Sequence, residues 1–237
     1  MLARVLPQIR RLAASGAHAI RGWLVRLENA ISGLRREALD PSDRNVLLGI
    51  LDEETDRLNR LVGDLLSYAK PSTPDRKTLQ LADIIARAMD LARRGHPKSD
   101  DVQLDVQLDG GPLDVIADPD MLRQAFANVL ENALQAMPTG GTITVRSGHA
   151  SLEDQSAVAI SFVDTGEGMD TLVRAKARDP FFTTRPSGTG LGLAIVDRLV
   201  RAHGGTMDIE SRAGIGTTIT LVIPEPIDRA AATRAAS

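Results

Sequence analysis

Apolar residues recur at three- and four-residue steps over the first seventy positions, in two blocks. In the first block Leu2, Val5, Leu6, Ile9, Leu12, Ala13, Ile20, Leu24, Leu27, Ile31 and Leu34 fall on one side of a helix. Asp40-Pro41-Ser42-Asp43 then reads as a turn and a helix start, because proline suits the first helical turn and Asp or Ser suits the cap. The second block repeats the period with Val46, Leu47, Ile50, Leu51, Leu58, Leu61, Val62, Leu65, Leu66 and Ala69. It stops at Lys70-Pro71, where proline forbids continuation. The pattern predicts a helical hairpin over residues 1–70. A lone hairpin cannot hide two apolar stripes. A second copy can, as a four-helix bundle about a dimer axis. We therefore expect a homodimer through residues 1–70, with packing on the chain's own second domain as the alternative.

The pattern changes after residue 70. Residues 71–80 carry two prolines and read as a linker. Residues 81–225 alternate helical and strand-like periods. Helices are predicted over 81–94, 119–137 and 191–203, and strands over 102–108, 113–118, 142–148, 158–164, 206–212 and 217–223. Strands 142–148 and 158–164 bracket a polar loop. The predicted architecture is a helical hairpin followed by a two-layer α/β sandwich, a mixed sheet with helices on one face. Residues 226–237 form an Ala/Arg/Ser tail that is expected to be disordered.

Composition narrows the class. The chain has 237 residues, enough for one or two domains with a real core. A net charge of −3 gives no global pull toward nucleic acid or an anionic membrane. Cysteine is absent, which excludes disulfides and thiolate metal sites and is compatible with a reducing cytoplasm. No apolar run approaches the roughly 18 residues needed to span a bilayer. The first residues carry charge and lack the apolar core of a signal peptide. The chain is read as soluble and cytoplasmic.

The chemistry-bearing residues lie in the second half. Gly188-Thr189-Gly190-Leu191-Gly192 runs straight into the helix predicted from Leu191. A helix start carries unpaired N–H groups and a positive dipole end, and glycines there let phosphate oxygens approach the backbone. Asn128 and Asn132 are i,i+4 neighbours on the helix from Pro119, away from its core face of Leu122, Phe126, Val129, Leu130 and Ala133. Asn is a poor mid-helix residue. A carboxamide oxygen can ligate magnesium beside waters and phosphates; two solvated surface amides are the plain reading. Asp164 ends an apolar strand and leads into Gly166 and Gly168. Its carboxylate could accept from an exocyclic amine while the glycines keep a base slot open; an ordinary Asx turn is the plain reading.

The order is more specific than its parts. Asn128-Val129-Leu130-Glu131-Asn132, Asp164-Thr165-Gly166-Glu167-Gly168, Phe181-Phe182, Gly188 to Gly192 and Gly214-Ile215-Gly216-Thr217 follow one another. The series resembles the ATP-binding domain shared by sensor histidine kinases, type II topoisomerases, Hsp90 chaperones and mismatch-repair ATPases, often called the Bergerat fold. Asp179-Pro180-Phe181-Phe182-Thr183-Thr184 and Gln135-Ala136-Met137-Pro138 look most like the nitrogen-regulator branch of sensor kinases. The resemblance implies ATP and magnesium as ligands, with Asn132 on the metal and Asp164 on adenine. It implies nucleotide contacts from Asn128, Gly166, Gly168, Phe182, Thr183, Thr184, Arg185, Gly188, Thr189, Gly190, Leu191, Gly192 and Thr217. Residues from about 169 to 190 would be a lid over the phosphates. Asn128 stands where hydrolysing members carry a water-activating glutamate, which favours phosphoryl transfer over hydrolysis.

The resemblance also implies a phosphoaccepting histidine. Ala17-His18-Ala19-Ile20-Arg21-Gly22-Trp23-Leu24 resembles the family's H box, making His18 the phosphoacceptor and the aspartate of a response-regulator receiver domain the next acceptor. Three positions depart from the pattern. Ala19 replaces an acid that orients the imidazole, Gly22 replaces an Asn or Thr that positions water, and Trp23 replaces a proline. General acid–base help is worth roughly 10²–10⁴ in rate. Autophosphorylation should therefore be weakened unless Glu53, Glu54 or Asp56 on the second arm substitutes. An ATP-binding module that acts only by conformation is the alternative. A hydrolase of the gyrase or chaperone type is disfavoured by the hairpin and by Asn128. Of the other histidines, His96 and His149 are read as surface residues and His203 as a cation at a helix C-terminus.

Overall fold

The structure is a computed structural model, and it describes residues 21–36, 39–69, 73–94, 101–108, 114–185 and 188–225. His18, Ala19, His96, the rest of the first arm before residue 21 and the tail from 226 lie outside the described residues. Two compact units are present, and both are discontinuous in sequence. The described residues before 70 and the segment Asp179–Leu191 form the first unit; the remainder form the second.

The first unit contains helix α1, described over residues 21–34, and α2, Pro41–Ala69. Asp40 starts α2 by accepting the N–H of Ser42 at 2.8 Å. The arms approach closely at Gly33, where a Cβ would lie 2.8 Å from a Leu47 methyl. Leu24 and Ile31 of the predicted α1 stripe are 46% and 43% exposed; Leu61 is buried as the periodicity predicts, and Trp23 and Ala30, outside that stripe, are buried too. So are two charged residues that it does not predict, Glu54 and Arg57. They pair at 3.0 Å, Arg26 closes on Glu54 at 2.6 Å, and the Arg57 guanidinium lies 5.8 Å from the Trp23 ring centroid. Meanwhile Leu48, Val62 and Leu66 are 44%, 54% and 68% exposed and fall within about 40° of one another on a helix, so one apolar stripe of α2 is uncovered in the single chain.

The second unit is a five-stranded mixed sheet with helices packed on it. The strands are β2 (Val102–Leu108), β4 (Gly141–Leu152), β5 (Gln155–Asp164), β6 (Thr206–Arg212) and β7 (Gly216–Pro224), in the order β2-β4-β5-β7-β6. Only the β2–β4 pair is parallel. A separate two-stranded ribbon joins β1 (Lys77–Gln80) to β3 (Asp114–Ala117). Helices α3 (Leu81–Arg93), α4 (Pro119–Ala136) and α6 (Gly192–Ala202) supply the other layer. Along β5, Val158, Ile160, Phe162 and Asp164 are buried while the alternate residues are half-buried, the signature of a sheet covered on one face. Phe126 of α4 meets Phe162 edge-on, with centroids 5.0 Å apart.

Four expectations need correction. Residues 77–80 of the expected linker form a strand, because their N–H and C=O groups pair with β3. The polar loop expected between residues 148 and 158 does not exist. Pairing of β4 with β5 continues to Leu152↔Gln155, and Glu153-Asp154 turns the chain with both residues at positive φ. Helix α5, Thr171–Lys176, was not anticipated; Asp170 caps it by accepting from the Val173 N–H at 2.8 Å. The fourth concerns His203, which lies at the end of α6 as expected but serves there as a buried hydrogen-bonding group. Its Nδ1–H donates to Leu199 O at 2.8 Å and its Nε2 accepts the Asp118 N–H at 3.0 Å. It thereby clamps the end of α6 to the start of α4.

Candidate functional site

Asp164 sits at the last position of β5, paired with Thr217 at the start of β7. Its Oδ1 accepts the N–H of Gly166 at 2.9 Å and of Thr217 at 3.2 Å. Two backbone donors fix the carboxylate at a sheet edge, and the residue is 9% exposed. Thr217 is also buried, and its Oγ1 lies 2.9 Å from Ser211 Oγ. Ser211 in turn accepts from the Met169 N–H at 2.8 Å and donates to Gly216 O at 3.0 Å. Sequence reasoning passed over Ser211, since one serine in an exposed strand carries no signal. It ties the residues after Gly168 to the β6–β7 turn.

The glycines after Asp164 are constrained by protein atoms on the side where a Cβ would project. At Gly166 a Cβ would lie 2.7 Å from both Cβ and O of Ala136. Gly168 has φ +63°, and a Cβ there would run into the carbonyl of Arg212. The loop is thus pressed onto the last turn of α4, where the Glu167 N–H also donates to Ala136 O at 3.1 Å.

One turn earlier on α4 stand the two asparagines. Asn132 Nδ2 donates to Asn128 O at 2.8 Å, so its amide turns back along the helix as the i,i+4 spacing requires. Asn128 Nδ2 is buried and has no partner. A buried donor left unpaired costs about 1–3 kcal/mol, which marks it for a ligand acceptor. Gly192, the first residue of α6, lies against this pair: a Cβ there would be 3.4 Å from Asn132 Nδ2. The start of an eleven-residue helix is thereby brought to the asparagine stripe. Asp164, Gly166, Thr217, Asn128, Asn132 and Gly192 therefore form one connected series within the second unit.

The remaining candidates belong to the first unit. Phe181 N–H donates to Gly190 O at 2.8 Å and closes the loop 181–190 at its base. Phe181 has φ +66°, a strained value for an aromatic residue. Thr183 Oγ1 accepts the Arg185 N–H at 3.1 Å. Gly188 packs on Thr183, and Gly190, at φ +69°, on the Phe181 backbone. Phe182 and Thr184 are half-buried and exposed, respectively. Leu191 is completely buried, so its side chain anchors the loop and any ligand contact falls to its backbone. Thr189 Oγ1 donates to Asp64 Oδ2 at 2.6 Å. Asp64 was not anticipated.

The metal reading is compatible with this donor set. Among the described residues no group of three or more His, Cys, Asp or Glu could cage a cation. Magnesium is commonly held by one or two side-chain oxygens together with substrate phosphates, and the Asn132 carboxamide supplies such a hard oxygen. Among the described residues, no helix is long and apolar enough to cross a membrane.

Comparison with known proteins agrees with the geometry. The family described as Histidine kinase-, DNA gyrase B-, and HSP90-like ATPase matches residues 117–227, which include the connected series. The sensor histidine kinase ZraS of Escherichia coli (strain K12) is 34% identical over 224 residues, 94% of this chain and 47% of ZraS. The chain spans between about a third and a half of the first curated relatives it matches, 36% and 47%. The solved structure of the mycobacterial sensor histidine kinase MprB is 30% identical, with a TM-score of 0.54 over 64% of this chain and 99% of that one. The structure of histidine kinase ThkA in complex with response regulator protein TrrA gives a TM-score of 0.76 over 96% of this chain and 65% of that one, at 24% identity, and shares the fold. The chain belongs to the sensor histidine kinases, with residues 117–227 as their ATPase-like domain.

Proposed function

We propose that this chain is the dimerising, phosphoaccepting and ATP-binding portion of a protein-histidine kinase in a two-component system. The observation that carries the reading is the connected series from Asp164 to Gly192: a carboxylate fixed at a sheet edge, an asparagine stripe with a buried unpartnered donor, and a helix start beside it. Asp164 would accept from the adenine amine. The N–H groups at the start of α6 and the glycine turn before it would take the triphosphate. Asn132 would hold magnesium, which neutralises phosphate charge when bound. Asn128 would orient the nucleotide, with its Nδ2 donating to a phosphate oxygen. A neutral imidazole nitrogen of His18 then attacks the γ-phosphorus, the bond to the β,γ-bridging oxygen breaks, and ADP leaves.

Residues 1–70 are proposed as the dimerisation and phosphotransfer domain, 81–225 as the ATP-binding domain. The uncovered stripe of Leu48, Val62 and Leu66 supports a four-helix bundle formed with a second copy. The next phosphoacceptor is proposed to be an aspartate of a response-regulator receiver domain. The ThkA–TrrA complex supports a partner of that kind. The cysteine-free composition supports the cytoplasm as the compartment.

A second reading, an ATP-binding module without kinase activity, rests on the altered H box. Its support grows from one structural fact. Of the acids that could replace the one missing at Ala19, Glu54 is already committed to Arg26 and Arg57. Labelled ATP separates the two readings. Kinase activity yields an acid-labile protein label that His18→Gln abolishes. Nucleotide binding without label in the wild type, with label appearing in Ala19→Glu, selects the module.

A further inference from the structure

The glycine turn before α6 is held by a group that nucleotide binding does not need. Thr189 Oγ1–H donates to Asp64 Oδ2 at 2.6 Å, in the short range of hydrogen bonds to an ionised oxygen. Asp64 lies on α2, in the hairpin. It is partly buried, and burial pushes its carboxyl up from the usual range, against the opposing pull of the Thr189 bond and the Arg60 charge. A carboxylate taken partly out of water needs a hydrogen-bonding partner, and Thr189 provides it. Thr189 is also tied to the loop behind it, since the Leu191 N–H approaches its Oγ1 at 3.4 Å. The loop is closed at its base by the Phe181–Gly190 bond, with Phe181 held at positive φ. A strained residue persists where its surroundings over-determine it.

The chemistry of the two occupants conflicts. Under the nucleotide reading the turn Gly188-Thr189-Gly190 faces a polyphosphate of several negative charges. In this structure its hydroxyl faces a carboxylate. Like charges at that range repel, and one hydroxyl proton cannot serve both. We propose that Asp64 is a latch on the lid: it holds Thr189 on the hairpin and competes with the triphosphate for the glycine turn. The inference rests on the ATP-binding reading of this loop. Asp64 acts through Thr189 as a positioning residue and touches no substrate. A lid held in a non-binding arrangement lowers apparent affinity by the fraction of molecules that are latched.

The test uses the whole 237-residue chain and two substitutions. Asp64→Asn keeps an acceptor for Thr189 but removes the charge. Asp64→Ala removes both. Calorimetry with ATP and magnesium should show tighter binding, by about threefold to tenfold for Asp64→Ala and less for Asp64→Asn, if the latch is closed in most molecules. Hydrogen exchange without nucleotide should show the amides of residues 181–185 and 188–191 exchanging faster in the same order. A dissociation constant within twofold of wild type in both variants, or lid amides that exchange at the wild-type rate, overturns the latch and leaves the nucleotide reading intact. Absence of ATP binding in wild type and variants alike overturns both.

Discussion

Replacing Asp164 by asparagine separates recognition of the base from integrity of the fold. The carboxylate does two jobs with its two oxygens. Oδ1 accepts the N–H groups of Gly166 and Thr217, at 2.9 and 3.2 Å. Under the proposed function the carboxylate also accepts from the exocyclic amine of adenine. Asparagine retains a carbonyl oxygen, so both backbone bonds can survive. Its amide then presents a donor to the adenine amine, which is itself a donor. One hydrogen bond to a charged acceptor is lost, worth about 1.5–3 kcal/mol. At about 1.4 kcal/mol per decade, ATP affinity should fall roughly tenfold to a hundredfold. Asp164→Ala should behave differently. It strands two N–H groups at about 1–3 kcal/mol each, so the melting temperature falls along with the affinity. The assay is calorimetric titration with ATP and magnesium, beside thermal unfolding without nucleotide. An Asp164→Asn protein that binds ATP within twofold of wild type refutes the role given to this carboxylate. So does an affinity loss fully matched by loss of stability.

Two further outcomes follow from buried contacts. Glu54→Ala should destabilise the hairpin by about 3 kcal/mol in denaturant unfolding at fixed protein concentration, because it leaves the Arg57 guanidinium, 3% exposed and already lacking a partner at Nε, with only the exposed Glu53 carboxylate at 3.7 Å. A loss below about 1 kcal/mol would show that Arg57 reaches solvent instead. Gly168→Ala should lower the melting temperature and weaken ATP binding together, since the backbone is at φ +63° and the added methyl meets the Arg212 carbonyl; unchanged values for both would mean that the loop has room to move.

What the sequence made legible was set by how local each cause is. The asparagine stripe of α4 and the capping Asp118 could be read because both depend on helical spacing and on residues two or three positions away. The β4–β5 hairpin was read too short. Its outer half, from Gly148 to Ser156, is small and polar, and only pairing across the turn makes it strand. The buried Glu54–Arg57 pair meets Trp23 from the other arm, a packing that no local pattern records. Gly166 also meets Ala136, thirty positions earlier, an approach that no local pattern records. Asp64 carried no signal at all. It is one acid on a highly charged helix, and its partner lies 125 residues away in sequence.

These differences point to a division within the proposed nucleotide site. The end assigned to adenine is built from backbone. Asp164 is held by two N–H groups, Gly166 by the end of α4, and Gly168 and Gly216 by carbonyls of neighbouring strands. Little can move there without breaking sheet or helix, so substitutions that break these backbone contacts, unlike Asp164→Asn, should register as lost stability as well as lost affinity. The end assigned to phosphate is different. Its loop is closed by the Phe181–Gly190 bond and held on the hairpin by the Thr189 hydroxyl. A few hydrogen bonds of about 1 kcal/mol each can be exchanged for bonds to phosphate without unfolding anything. A kinase needs such an asymmetry. Under the proposed function the base is held in one place, while the segment over the phosphates exchanges its contacts as nucleotide binds and leaves.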